Sequence, residues 1–136
     1  MGSRSRRNVL RLTYLDTQIV VWLGAGKRAR VSREAARAIE RASHLLVSPV
    51  VELELAYLHE RKRIKVEPMA ILSDLASRIG LLVCDLPFQM VAHEAVSLAR
   101  INDPFDRLIV AQASATASPL ITADSHIIEN YRRAIW

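Results

Sequence analysis

Apolar residues in this chain fall into two alternating rhythms: short runs of three or four that read as strands, and longer stretches with apolar positions three and four apart that read as helices. The short runs are Leu12-Thr13-Tyr14-Leu15, His44-Leu45-Leu46-Val47, Leu81-Leu82-Val83-Cys84, Leu120-Ile121-Thr122 and Ala134-Ile135-Trp136. Between them, residues 17–23 form a helix stopped by Gly24 and Gly26, and Ser32 caps another that runs to about Ala42, with Ala35, Ala36, Ile39 and Ala42 inward. Ser48-Pro49 places an N-cap before proline at the first helical position, and the helix it starts ends in the charged run Glu60 to Lys65. Glu67-Pro68 begins the next, Met69 to Ile79, which Gly80 stops. Three more follow: Phe88 to Arg100, with Met90, Val91, Ala95 and Leu98 as its stripe, Pro104 to about Ala117, and a short one from Ile127 to Tyr131. Strand and helix alternate throughout, which predicts an α/β fold: a three-layer α/β/α sandwich around a central, mostly parallel sheet of about five strands.

Composition narrows this picture. The length, 136 residues, suits a single domain spanning 1–136, with residues 1–10 read as a flexible basic arm or a remnant of cloning. Aromatic residues make up only 5%, so the core must be built from Leu, Ile, Val and Ala, as in a buried parallel sheet. One cysteine, Cys84, excludes an internal disulfide, fits a reducing compartment and sits in an apolar run as a small core residue. No run reaches the roughly 18 apolar residues of a membrane span, and a cytoplasmic protein is expected. Nineteen Lys and Arg against 14 Asp and Glu give a net charge of +5, and all the cations except Lys27, Lys62 and Lys65 are Arg. Arginine pairs with phosphate through two parallel N–H donors. A polyanionic partner and an arginine bias of genomic origin account equally for the excess.

Candidate chemistry lies among the acids. Asp16 and Asp124 follow strands, and Asp106 stands at the head of the longest apolar segment of the chain, Leu108 to Ala113. In the helix after Ser48, Glu52 and Glu54 cannot share a face. With Val51 at zero, Leu55 and Leu58 fall within about 40°, Glu54 about 60° to one side and Glu52 about 100° to the other, so Glu54 is the acid at the core edge. Ligands of an open parallel sheet gather at the carboxyl ends of its strands, where Asp16, Glu54, Asp106 and Asp124 can converge. Such a cluster repels itself unless a cation joins it. Oxygen donors without His or Cys point to Mg²⁺ or Mn²⁺, and that chemistry suits phosphodiester hydrolysis. Simpler roles compete: Asp16 as a helix cap, and Asp103 before Pro104 as another. Asp106 differs, because its face continues through Ile109, Val110 and Ala113, and an acid on an apolar stripe needs a partner.

Tyr14-Leu15-Asp16-Thr17-Gln18 with Trp22-Leu23, Ser48 to Ala56 around Glu54, Asp103-Pro104-Phe105-Asp106-Arg107 with Leu108 to Ala113, Leu120-Ile121-Thr122-Ala123-Asp124, and the terminal Trp136 together resemble the PIN-domain ribonucleases, specifically the VapC-like toxins of type II toxin–antitoxin pairs. The DPFDR block is the specific part; Val51, Leu53 and Glu52 depart from the usual residues around the helix acid. The resemblance implies a Mg²⁺- or Mn²⁺-dependent endoribonuclease whose metal ligands are Asp16, Glu54, Asp106 and Asp124, with Asp103 auxiliary. It also implies RNA as substrate, tRNA being common in the family, a VapB-like antitoxin as partner, and a homodimer. Arg107, Lys27, Arg28, Arg61 and Lys62 are the expected RNA contacts, within the basic stretches Arg4 to Arg11, Lys27 to Arg30 and Arg61 to Lys65. Two alternatives keep the fold: a catalytically weak RNA-binding module, and an RNA-processing nuclease without an antitoxin. A phosphatase or phosphoacceptor of similar architecture fits poorly, because Asp16-Thr17-Gln18 lacks the second acid of D-x-D. None of His44, His59, His93 and His126 shows ligand spacing.

Overall fold

In the computed structural model, residues 11–136 are described. The predicted basic arm, residues 1–10, lies outside them, so of the basic stretch that begins at Arg4 only Arg11 is described. Five strands, β1 (Leu12–Leu15), β2 (His44–Val47), β3 (Leu82–Val83), β4 (Leu120–Ile121) and β5 (Ala134–Ile135), form one sheet in the order β3-β2-β1-β4-β5, every pair parallel. Seven α-helices connect them: α1 (Thr17–Gly24), α2 (Arg33–Arg41), α3 (Pro49–Glu60), α4 (Pro68–Ile79), α5 (Phe88–Val96), α6 (Pro104–Ser114) and α7 (Ser125–Asn130). The sheet is therefore wholly parallel, the limiting case of the mostly parallel sheet expected, and the fold is the predicted three-layer sandwich.

From β1 the chain winds outward through β2 to β3, then crosses back so that β4 lies on the other side of β1. That reversal makes a crevice beyond the carboxyl ends of β1 and β4, the usual position for a ligand in this architecture. The capping residues form as the sequence dictates: Ser32 accepts from the Ala35 N–H, Ser48 from Val50 and Asp103 from Asp106. At the far end of α4, Gly80 takes the left-handed conformation, φ 70°, that closes a helix at little cost.

The core is aliphatic, as composition requires. Leu15, Ile19, Val20, Val47, Val51, Leu55, Leu75, Ile109, Leu120 and Ile121 are all fully buried. In α6 the run from Ile109 to Ala113 is inside on every side, which is how a helix hydrophobic all round is accommodated. Cys84 is buried as expected, with its Sγ 3.2 Å from the Tyr14 hydroxyl.

Besides β4 and β5, each one residue shorter than its apolar run, three elements fall short of what the apolar pattern predicts. The third strand is Leu82–Val83 only, and both residues are about half exposed because β3 is an edge strand paired to β2 alone. Leu81 and Cys84, at its ends, turn inward instead. Helix α5 stops at Val96, not Arg100: the Arg107 guanidinium donates to the carbonyls of Ala95 (2.8 Å) and Val96 (3.1 Å), and Ser97 Oγ donates to Glu94 O. Met90, placed on its inner stripe from the sequence, is half exposed while Val91 and Ala95 are buried. Helix α6 ends at Ser114 because the Ser118 N–H returns to Ala113 O and the Ala117 N–H to Ser114 O, with Ala117 left-handed at φ 51°.

Candidate active site

Asp16 is the first residue past β1, and the fold holds it by three contacts. Its backbone N–H continues the ladder to Ile121 O, one carboxylate oxygen accepts from the Thr17 N–H (2.8 Å), and the other accepts from the Thr122 hydroxyl (2.7 Å). Asp16 is therefore both the cap of α1 and a fixed acid at the sheet's edge. The Thr122 hydroxyl in turn accepts from the Asp124 N–H, and one oxygen of Asp124 accepts from the N–H groups of His126 and Ile127, capping α7. On the other side the Thr17 hydroxyl donates to Glu54 Oε1 at 2.5 Å. Neither threonine was singled out from the sequence, although each adjoins or nearly adjoins an acid that was: Thr17 follows Asp16 and Thr122 stands two before Asp124.

Asp16, Glu54, Asp106 and Asp124 line one cavity of about 290 Å³, together with Thr17, Gln18, Leu58 and Ala123. Glu54 faces it, whereas Glu52 is exposed and lines a separate groove with Leu53 and Met69, so the core-edge acid of α3 is Glu54. Asp103 is exposed and occupied with the Asp106 N–H; it stands outside the cavity but close enough to act on Glu54 and Asp106 by charge. A larger concavity, about 650 Å³, opens at the amino ends of β1 and β4 among Arg11, Arg37 and Arg41, away from the acids.

Electrostatics mark the cavity as short of positive charge. Burial, and then the charges of Asp16, Asp103, Asp124 and Glu54, push the Asp106 carboxyl up to about 7. Burial also raises Asp16, offset by the hydrogen bonds from Thr122 and Thr17, with Asp124 pushing upward again. Glu54 is raised by burial, against the Thr17 hydrogen bond, and by Asp16 and Asp103. Oxygen-donor acids whose crowding raises the proton affinity of Asp16, Glu54 and Asp106 fit a hard divalent cation. Among the described residues, no three acidic, His or Cys side chains already stand at the spacing of a ready-made ion site.

The basic residues divide. Arg107 is partly buried, with its guanidinium on the last carbonyls of α5. Lys27 and Arg28 follow α1, about 12 Å of helix from Asp16. Arg61 and Lys62 end α3 one turn past Leu58 of the cavity wall. Lys62 is left-handed, φ 61°, in the closing turn of that helix. His126 lies outside the acid cavity, its Nε2 2.9 Å from Arg100 O.

A doubly wound parallel sheet with an acidic cavity at its reversal point defines the class: an α/β domain whose ligand crevice is lined by carboxylates. The PIN domain model matches residues 13–133. The chain belongs to the PIN domain family. A search of curated proteins yields no match. Among solved structures the chain is similar to a toxin–antitoxin complex from Klebsiella pneumoniae (TM-score 0.64, 19% identity, 91% of this chain and 96% of that one). It is also similar to VapBC2 from Rickettsia felis bound to a promoter DNA fragment (0.61, 19%, 88% and 92%) and to DNA-bound VapBC from Salmonella typhimurium (0.60, 20%, 93% and 96%). At these identities the likeness is one of fold. Among the described residues no helix is long and apolar enough to cross a membrane.

Proposed function

We propose that this protein is a divalent-metal-dependent endoribonuclease, the VapC-like toxin of a toxin–antitoxin pair. The observation that carries this reading is the meeting of Asp16, Glu54, Asp106 and Asp124, from four separate segments, around one small cavity at the sheet's reversal point. Mg²⁺ or Mn²⁺ held there supplies Lewis acidity, lowering the pKa of water and polarising the scissile phosphate. The chain's own residues do the rest. Thr122 and the Thr17 N–H fix Asp16, the Thr17 hydroxyl fixes Glu54, and the His126 and Ile127 N–H groups fix Asp124, so three of the four acids are oriented before any ligand arrives. Asp106 and Asp124 enter from the first turn of α6 and the cap of α7. Asp103 caps α6 and adds negative charge beside the ligands. Arg61 and Lys62 lie near enough to the cavity to hold RNA phosphates, with Lys27 and Arg28 further round the surface.

The partners belong to the same reading: RNA, with tRNA as a candidate substrate, a VapB-like antitoxin that silences the site, a second copy of the chain, and a cytoplasmic setting. Its support is the family and the fold shared with proteins of VapBC complexes. The test is cleavage of RNA by the wild type, Asp106→Asn, Glu54→Gln and Glu52→Gln in Mg²⁺, Mn²⁺ or chelator. Metal-dependent cleavage that survives Glu52→Gln and falls by at least a hundredfold in the other two variants is expected. Equal activity in every condition overturns the proposal. A second reading, an RNA-binding PIN domain without turnover, draws on the spread of the carboxylates; tight RNA binding with no metal-dependent cleavage selects it.

A further inference from the structure

One turn past Glu54, helix α3 presents Tyr57, whose side chain is 41% exposed. The ring meets Phe105 edge-on, centroids 5.6 Å apart and planes at 67°. Arg61, a further turn along, places its Cζ 5.7 Å from the Tyr57 centroid. The trio is continuous with the acid cavity: Phe105 precedes Asp106, and Leu58, next to Tyr57, is part of the cavity wall. Packing accounts for the edge contact between α3 and α6 but not for leaving a large ring in solvent with a guanidinium on it. Tyr14 and Tyr131, by contrast, are buried with their hydroxyls paired to Cys84 and Ser118.

A tyrosine ring in edge contact with one aromatic ring, with a guanidinium carbon 5.7 Å from its centroid, brings together in one exposed cluster the two groups, aromatic rings and guanidinium planes, that proteins use to stack splayed-out bases. A base inside a duplex keeps both faces stacked on its neighbours and cannot use such a surface. We propose that Tyr57, Arg61 and Phe105 form a nucleobase subsite that stacks an unpaired nucleotide flanking the phosphate held at the acid cavity. This rests on the ribonuclease reading above. Tyr57 and Arg61 supply the stacking faces, and Phe105 is a positioning residue that holds the ring.

The test uses the full chain carrying Asp106→Asn, with an unstructured RNA oligonucleotide bearing 2-aminopurine and the same oligonucleotide annealed to its complement. The expected result is a fluorescence change on binding the unpaired probe alone. Affinity falls about tenfold with Tyr57→Leu and with Arg61→Lys, which keeps the charge but loses the plane, while the salt slope and the unfolding midpoint stay unchanged. Undiminished binding by Tyr57→Leu, equal signals from paired and unpaired probe, or no binding overturns the subsite. The two readings fail separately. If the otherwise unaltered chain never cleaves RNA but stacks the probe through Tyr57, the nuclease reading falls and the subsite stands. If it cleaves with metal and Tyr57→Leu keeps the same preference between unpaired and paired RNA, the subsite falls and the nuclease stands.

Discussion

Removing the charge of Asp106 should make the metal-free protein more stable while destroying the activity proposed for it. The Asp106 carboxyl is raised from 3.8 to about 7, by burial first and by its acidic neighbours second. A threonine hydroxyl compensates Asp16 and Glu54, but hydrogen bonds contribute nothing to the Asp106 shift. The folded state thus keeps a proton that the unfolded chain releases above about pH 4. The stabilisation from that proton is complete below the unfolded pKa and is lost as pH rises through about 7. Three pH units at 1.36 kcal/mol each give a ceiling of about 4 kcal/mol, and the partial exposure of the side chain lets solvent screen this to about 1 to 2 kcal/mol. Asparagine has nearly the same shape and no charge, so Asp106→Asn should gain about that much at pH 8 in chelator, a rise in Tm of roughly 3 to 8 °C for a chain of this size. At pH 5 the gain should shrink to about a third, because that pH lies only a little more than one unit above the carboxyl's unfolded pKa of 3.8. Addition of Mg²⁺ at pH 8 should narrow the gap from the other side: at ten times its Kd, a cation binding only the folded wild type contributes about 1.4 kcal/mol. Thermal and urea unfolding of both proteins at pH 5 and 8, with and without Mg²⁺, measure all of this. A variant no more stable than wild type at pH 8 in chelator, or a difference identical at both pH values, would refute the electrostatic account of the cavity.

Two further outcomes probe the frame around the site. Arg107→Met keeps the aliphatic stem but strips the Ala95 and Val96 carbonyls of their donors; a loss of about 1 to 3 kcal/mol in urea unfolding is expected, with faster hydrogen exchange at the end of α5 and an unchanged salt slope for RNA binding. A reduced slope with stability intact would return Arg107 to the phosphate-binding role the sequence suggested. Ala117→Gly relieves a left-handed alanine at φ 51° in the turn closing α6, and should raise stability by about 0.5 to 1 kcal/mol; an unaltered or lowered urea midpoint would count against strain there.

The sequence made the acids legible for a physical reason that also explains what it hid. A carboxylate on an apolar helical stripe, such as Asp106 ahead of Ile109, Val110 and Ala113, violates the pattern around it, and a violation is visible in one dimension. Glu54 and Glu52 separated by helical angle alone, and the structure places the first on the cavity and the second on the outer groove. Thr17 and Thr122 break no pattern, since hydroxyls are ordinary after an acid and at a strand end. Their importance arises only when Thr122, 106 residues from Asp16, is brought beside it by the β1–β4 pairing. Arg107 shows the converse: its charge is obvious in the sequence, but its hydrogen bonds to the Ala95 and Val96 carbonyls depend on a helix end at Val96 that the apolar pattern does not mark. The same logic applies to Tyr57 and Phe105. An aromatic residue amid apolar neighbours looks like core until the fold leaves one face of the pair in solvent, one helical turn from the acids, with Arg61 across it. Residues that act through their own chemistry can be found from sequence, whereas residues that act by orienting or extending a site are defined by contacts between distant segments and become visible only in the folded chain.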